Sequence, residues 1–390
     1  MKAARRRLIA LLVCAGLAIA AACLIPNDLP FLPHVTGPRW PFHEEPTVRV
    51  LIDSIQIGGR TEFNSIVGTP GTRFNQPTRV VVHLGGDDKT TINGVAVSLP
   101  IVLEGAEEGI GHGGRRYSGD ILIDRDGAGR LALINRIPME RYIEGVVLAE
   151  MPPNFPEEAL KAQAIASRSY AAWKVAACRS QHWDVSDTQR SQVYKGNPEL
   201  PKLALRVTRA TRGVVLAFGS KPLEAVFSST CGGTTRSAQE AFGDAAPAPL
   251  RGAICNACNG TTFSTWTCDV DRRVVGKALG VGTLVSIGNL DTYSSGRLRS
   301  VEVLGDVGPR RTVSGPALTS ALGSKALSTW ISLIEVRGAK VHAEGRGFGH
   351  GAGMCQVGAG VLARRGANFE SILATYYPGA SLVDLWPAPR

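Results

Sequence analysis

From residue 47 onward the apolar positions follow two different rhythms. Short β-branched and aliphatic runs at Val48–Ile52, Thr78–Leu84, Val95–Leu103 and Tyr117–Ile123 are separated by Gly, Asp and Pro, which predicts strands joined by turns. Tyr117–Ile123 and Leu131–Ile134 flank the segment DRDGAGR, which reads as a hairpin turn. At Ile137 the rhythm changes to a helical one. Pro138 suits a first helical position, and Tyr142, Ile143, Val146 and Val147 then follow at helical spacing, predicting a helix that ends near Leu148. Pro152, Pro153 and Pro156 forbid its continuation and push Met151 towards an extended backbone. A second, longer helix starts at Pro156, with Glu157 and Glu158 where carboxylates suit the positive end of the dipole. Ala159, Ala162, Ala164, Ala166, Ala171 and Ala172 give it strong propensity and thin faces, with Lys161 and Arg168 on one side. Glu150 thus falls in a stiff junction between two helices. Such an acid is either a solvated helix terminus or a carboxyl placed for chemistry.

Further along, Gly213–Arg236 predicts two strands joined by a turn at Gly219 and Ser220, presenting Ser228, Ser229, Thr230, Gly232 and Gly233 at an edge. Such hydroxyls and backbone groups are either solvated turn residues or groups suited to hydrogen bonding with a polar ligand such as a sugar. The runs Val281–Leu290, Arg297–Leu304 and Leu333–Arg337 read as β scaffold. Glycines at 345, 347, 349, 351 and 353 make a loop whose backbone can approach a ligand closely, followed by a helix from Met354 to Arg365 that Gly366 ends. Asn368 caps a final helix, and Pro378 with Gly379 stops it. The pattern is that of an α+β protein, a β-rich scaffold with a few helices around a groove.

The amino terminus carries Lys2, Arg5, Arg6 and Arg7 and is then uncharged from Leu8 to Pro26, so residues 1–25 read as a signal peptide or membrane anchor. Ala20, Ala21 and Ala22 before Cys23 fit a signal-peptidase site or a poor lipoprotein box. Residues 26–46 hold six prolines and read as an extended linker, residues 47–136 as an N-terminal β-rich part, and residues 137–385 as a region of mixed helices and strands that contains Glu150 and the glycine loop. The basic start keeps the first residues cytoplasmic and sends the rest outside the membrane, to a periplasmic or otherwise extracytoplasmic place. The formal charge of +10 favours anionic partners, but no dense Lys/Arg cluster with interleaved aromatics points to nucleic acid. No HExxH, P-loop or G-x-S-x-G pattern supports a metalloprotease, an NTPase or a serine hydrolase, and the glycines at 345–353 are not spaced as GxGxxG, so that loop implies no dinucleotide site.

Four cysteines, Cys231, Cys255, Cys258 and Cys268, are spaced C-x23-C-x2-C-x9-C. A structural tetrathiolate zinc and a pair of disulfides both satisfy that pattern in an exported chain, and neither leaves an open position for catalysis.

The string EGVVLAEMPPNFPEEALKAQAIASRSYA closely resembles the signature of the SpoIID/LytB family, stage II sporulation protein D and its relatives. Further similarity runs through RRYSGDILI, DVSDTQRSQVYKG, GVVLAFGSKPLEAVFSSTCGGTTR and EGRGFGHGAGMCQVGAG, in the family's order over most of residues 117–382. The resemblance implies a SpoIID-like fold around a glycan-binding groove and a peptidoglycan lytic transglycosylase, with Glu150 of the E-M-P motif as its catalytic acid. It also implies substrate contacts from Arg168, Gln192, Tyr194, Lys221, Ser229, His350 and Gln356; Tyr194 reads equally as packed, and His350 reads as a structural hydrogen bonder or as placed to touch substrate or to orient Glu150. Some relatives hold zinc through a Cys and a His-Cys pair in the DVSDTQRSQVYKG segment, but Ser186, Arg190 and Ser191 stand at those positions here. Cys355, where relatives have Ser or Cys, reads as packed. No cofactor is needed for catalysis. The implied partners are peptidoglycan glycan strands, a cell-wall amidase, and a membrane through the N-terminal segment. For the proposed acid role Glu150 is expected to be buried against apolar groups such as Met151 and Phe155, raising its pKa. Two alternatives stand beside this reading: a non-catalytic, glycan-binding amidase enhancer, and a hydrolase using Asp184 or Asp187 as a second acid.

Overall fold

The computed structural model describes residues 44–386 apart from 70, 71, 87, 88, 179, 180, 197–199 and 244, together with residues 30, 32–34 and 42. The expected signal or anchor segment, residues 1–25, and much of the linker lie outside the described residues. Among the described residues no helix is long and apolar enough to cross a membrane. The described linker residues pack on the domain: Leu32 is buried, Pro33 O accepts from Leu382 N, and Glu45 pairs with Arg212.

The first half is built on one sheet. Its strands are β1 (Thr47–Ile55), β2 (Arg60–Thr69), β3 (Thr72–Leu84), β4 (Thr90–Ile92), β5 (Val95–Ala96), β6 (Ile101–Gly105), β7 (Ile110–His112), β8 (Arg115–Tyr117), β9 (Asp120–Arg125), β10 (Leu131–Pro138) and β11 (Val185–Ser186). The order is β11-β1-β10-β9-β6-β2-β3-β4-β5, with β7 and β8 extending from β2. The hairpin read from DRDGAGR joins β9 to β10: the Asp126 carboxylate accepts from Ala128 N and Arg130 N at 2.9 Å each and so closes the turn. The run Val95–Leu103 is not one strand. It divides into β5 and β6 before Pro100, which has no N–H for a ladder.

The helices follow. α1 is Met139–Glu150 and α2 is Glu157–Ala177, with Pro138 and Pro156 at their N-caps. α1 runs two residues beyond the expected end, because Met151 N still donates to Val147 O at 3.0 Å and only the next residue, Pro152, lacks a donor. Met151 is extended, at φ −127° and ψ 117°, as the following proline requires. Glu150 is therefore the last helical residue rather than part of the connector. α2 buries its alanine faces against α1, against β12 (Val214–Phe218), and against the C-terminal α7 (Gln356–Arg364) and α8 (Phe369–Tyr376). The remaining helices are α3 (Lys202–Ala210), α4 (Ala238–Phe242), α5 (Arg272–Ala278) and α6 (Gly315–Leu322).

Two short sheets assemble the groove wall from distant segments. β12 lies between β13 (Lys221–Pro222) and the last strand, β22 (Ser381–Asp384). β14 (Phe227–Ser228) runs parallel to β21 (Met354–Cys355), pairing Phe227 with Met354 and Ser228 with Cys355. Residues expected to start a helix at Met354 thus form a strand bridge first, and α7 begins at Gln356 with the Cys355 side chain accepting from Gly358 N. Asn368 caps α8 as expected, accepting from Ser371 N.

Between these pieces lie two three-stranded sheets, β15 (Thr265–Asp271) with β20 (Lys340–Arg346) and β19 (Ile331–Arg337), and β16 (Leu284–Thr292) with β17 (Leu298–Gly305) and β18 (Arg311–Ser314). They enclose a separate apolar core that includes Trp266, Val281, Val301, Leu318 and Val341, whereas the main core draws on both sides of residue 136. Cys268 belongs to this second core, opposite Ala343 on β20.

Arg168 is a correction to the sequence reading. Its side chain is fully buried on α2, where Nε and Nη2 donate to the two carboxylate oxygens of Glu140 at 2.9 and 2.8 Å and Nη1 donates to Val214 O. Glu140 also accepts from Gly213 N at 3.0 Å, so α1, α2 and the start of β12 share one forked ion pair. Alanine-rich neighbours let the helices approach closely enough to seal it from water and from any substrate. Breaking such a pair leaves a buried charge. Arg168→Met is expected to lose about 3–5 kcal/mol of unfolding free energy in urea titration. Arg168→Met combined with Glu140→Leu should lose clearly less, an outcome that a substrate-binding arginine would not produce.

Candidate active site

Glu150 opens into a groove of about 710 Å³. Its floor and walls come from the end of α1 (Ala149, Glu150), one face of α2 (Tyr170, Lys174), the loop Gln189–Val193, the segment Glu224–Ser229, Phe242, the glycine loop (Phe348, Gly349, His350) and Gln356. The Glu150 carboxylate accepts a hydrogen bond from Val193 N at 2.5 Å, and its backbone carbonyl accepts one from Gln356 Nε2 at 3.3 Å. Burial raises the Glu150 pKa above the ordinary value, offset only in part by the Val193 N–H and by Gln356. The direction matches the sequence expectation. Val193, Val226, Phe227 and Phe348 line the groove beside Glu150, whereas Met151 and Phe155 do not.

The loop that supplies Val193 N is held from below. Gln192 is fully buried, accepting from Tyr142 OH at 3.1 Å and donating to Ser167 O at 3.3 Å. Ser167 Oγ accepts from Gln163, and Gln163 Oε1 accepts from Gln356 Nε2 at 3.3 Å. A run of buried amides and hydroxyls therefore leads from α1 through α2 to α7 and fixes both backbone contacts of Glu150. Tyr194 is buried as well: its hydroxyl donates to Asn135 at 2.9 Å and its ring packs 5.3 Å from Tyr142. Ser186, Arg190 and Ser191, where relatives carry zinc ligands, offer no thiolate or imidazole. Ser191 Oγ instead accepts from Ser186 N at 3.1 Å and closes the loop with a hydroxyl.

On the opposite wall, Ser228 Oγ accepts from Gly351 N at 3.2 Å, and Thr230 and Phe348 exchange backbone hydrogen bonds. Gly353 has φ +66°, and a Cβ there would lie 1.8 Å from Val226 O, so only glycine lets this loop meet β14. His350 lines the groove with both ring nitrogens engaged. Nε2 lies 2.8 Å from Phe227 O and Nδ1 accepts from Ala352 N at 3.1 Å, an arrangement that assigns the proton to Nε2. Burial pulls its pKa down to about 4, so the ring is neutral at physiological pH and acts as a staple between the two walls.

Of the residues expected to touch substrate, Ser229, His350 and Gln356 line the groove with Glu150; Arg168, Gln192, Tyr194 and Lys221 do not. The first three of those four are buried in the hydrogen bonds just described, and Lys221 stands exposed on the β12–β13 hairpin. Asp184 is buried against Arg49 at 2.7 Å and Asp187 pairs with Arg115 at 2.9 Å, and neither reaches the groove. Sequence reasoning missed Glu224, Lys174 and Arg190, which bring a second carboxylate and two cations to the groove. The buried Leu223, Ala225 and Val226 around Glu224 were a signal that this one polar side chain points outward.

A family model described as stage II sporulation protein matches residues 127–218, which span β10, both helices beside Glu150 and β12. Stage II sporulation protein D of Bacillus subtilis is 30% identical over 271 residues, covering 64% of this chain and 76% of that protein. An uncharacterized protein of Brachyspira hyodysenteriae is 29% identical over 302 residues, 75% of this chain and 79% of its own length. The amidase enhancer of Bacillus subtilis is 24% identical over 290 residues, 62% of this chain but 40% of that longer protein. A β-rich α+β chain with this signature, matched over these lengths, belongs to the SpoIID/LytB family. Membership supports a cell-wall-related role.

The raised pKa of Glu150 has a consequence for stability. A carboxyl whose folded pKa lies above its unfolded value of 4.5 stabilises the fold fully only below that value, and its contribution fades as pH rises through the folded pKa. Gln at this position keeps an oxygen for Val193 N and avoids the buried charge. The Tm of Glu150→Gln should equal that of the parent in acid and exceed it at neutral pH, with the gain appearing as pH rises, as measured by thermal unfolding across pH.

Proposed function

We propose that this protein is an extracytoplasmic peptidoglycan lytic transglycosylase in which Glu150 serves as both acid and base. The observation that supports the reading most directly is one half-buried carboxyl of raised pKa, fixed by Val193 N in a groove of about 710 Å³. A group of that kind is still protonated when a glycosidic oxygen needs a proton. In the first step the Glu150 carboxyl protonates the oxygen that leaves muramic acid C1 as the C1–O bond to the next N-acetylglucosamine breaks. In the second, the Glu150 carboxylate takes the proton of the muramic acid C6 hydroxyl while O6 bonds to C1. The products are a strand with a 1,6-anhydro end and a strand with a free hydroxyl, and no water is consumed.

The rest of the groove suits that substrate. Phe242 and Phe348 offer partly exposed ring faces to the apolar sides of sugars, Ser229 and backbone groups offer hydrogen bonds, and Lys174 and Arg190 face the carboxylates of lactyl groups and stem peptides. Kinship with the amidase enhancer supports a second reading, a groove that binds glycan and assists a cell-wall amidase without cutting. Glu224 supports a third, hydrolysis with a second carboxylate, in a role the sequence had offered to Asp184 or Asp187.

Mass spectrometry of purified glycan strands, intact and amidase-denuded, separates the three. Anhydro-muramic ends formed by the parent and reduced at least ~100-fold in Glu150→Gln are the expected result, the scale set by removal of a general acid. Reducing ends that depend on Glu224 would replace it with hydrolysis, and retained binding without cleavage would replace it with the enhancer reading. The rate should fall as pH rises through the Glu150 pKa and should do so at higher pH than for an exposed glutamate.

A further inference from the structure

The four cysteines that converge in space are not the four that their spacing suggests. Sγ atoms of Cys231, Cys255, Cys258 and Cys355 all lie within 4.8 Å of one another, and all four residues are buried. Cys268 is on β15 in the second core, and its place is taken by Cys355, which β21 brings beside β14. We propose that Cys231, Cys255, Cys258 and Cys355 form a closed tetrathiolate site for a structural zinc ion that pins the glycine-loop wall of the groove.

Three observations carry this. The first is geometry. Tetrahedral zinc with bonds of about 2.3 Å to sulfur sets the sulfurs about 3.8 Å apart, and Cys231 Sγ and Cys258 Sγ are 3.5 Å apart. All four sulfurs are unbonded and lie within 4.8 Å of one another, whereas a disulfide needs about 2.05 Å. The second is the donors around them. Cys355 Sγ accepts from Cys231 N and from Gly358 N, each at 3.3 Å, and Tyr376 OH is 3.2 Å from Cys255 Sγ, so groups that stabilise thiolates already face the sulfurs.

The third is charge. Arg297 reaches back from the β16–β17 turn and is fully buried, donating through Nη2 to Cys231 O at 2.9 Å, yet its Nε and Nη1 have no hydrogen-bond partner among the described residues. Gly351 accommodates it, since a Cβ at that position would lie 2.0 Å from Nη2. The Trp330 ring, 5.5 Å from Arg297 Cζ, and the charge of Glu240 also act on this buried cation. Beside zinc with four thiolates, a unit of net charge −2, Arg297 supplies counter-charge.

Binding releases the thiol protons, involves no oxidant, and leaves the metal no open position, so the ion does no chemistry on glycan. Its effect is on position. Cys355 directly precedes Gln356, which touches Glu150, and Cys231 follows Ser229 by two residues.

The test uses the full chain and does not depend on cleavage activity. Elemental analysis is expected to find one zinc per chain in the parent and in Cys268→Ser. Cys355→Ser should release zinc to a chelator faster by more than the 10–100-fold that changes around a metal's ligands produce. Cobalt substituted into the parent should give the intense visible bands of a tetrahedral thiolate, a readout that stands even if Cys355→Ser fails to fold. Parent protein that binds neither metal, a disulfide among these four cysteines in peptide mapping, or zinc lost from Cys268→Ser as readily as from Cys355→Ser would overturn the proposal.

Discussion

The Arg168–Glu140 pair is the constraint on which the arrangement of this protein turns. A guanidinium and a carboxylate, both sealed from water, satisfy each other through two parallel hydrogen bonds, and their spare atoms take up Val214 O and Gly213 N. The same contact therefore sets the angle between α1 and α2 and the point at which β12 begins. Everything near Glu150 inherits that frame. α1 delivers the carboxyl, α2 supplies the Gln163–Ser167 relay that seats Gln356 and Gln192, and β12 leads to the wall that carries Glu224 and Ser229. Buried ion pairs add little net stability compared with apolar packing, but this one leaves few alternative ways to dock two alanine-rich helices whose smooth faces would otherwise slide.

What the sequence made legible was local. Prolines at 138, 152, 153 and 156 have no backbone donor, so they mark the helix ends beside Glu150 almost to the residue. Asp126 and Asn368 each satisfy backbone donors within four positions of themselves, which is why one hairpin and one cap could be read directly. The β-rich α+β character followed from the same short-range patterns.

What the sequence hid was partnership at long range. Arg168, Gln192 and Tyr194 sit in motifs that suggest a binding surface, but their partners Glu140, Ser167 and Asn135 lie on other elements, and nothing in a linear reading shows that those elements close over them. The cysteines make the same point. The C-x2-C spacing identifies two neighbours, while the residue that joins them with Cys231 lies 124 positions beyond it and arrives only because β14 and β21 run side by side. Met151 and Phe155 were chosen as the apolar cover of Glu150 because they are near it in sequence. Val193, Val226 and Phe227 line the groove with Glu150 although all three are distant from it in sequence.

The pairing of β14 with β21, and of β12 with β22, also bears on the life of the chain during synthesis. Glu150 and both of its helices leave the ribosome long before Met354–Cys355 and Ser381–Asp384, the strands without which neither short sheet of the groove wall can close. Such late, long-range closure is slow, and it cannot begin until Met354–Cys355 and Ser381–Asp384 are present. A nascent or truncated chain therefore carries the carboxyl without the groove around it. The order of the elements thus keeps the site unassembled until Ser381–Asp384 can join β12.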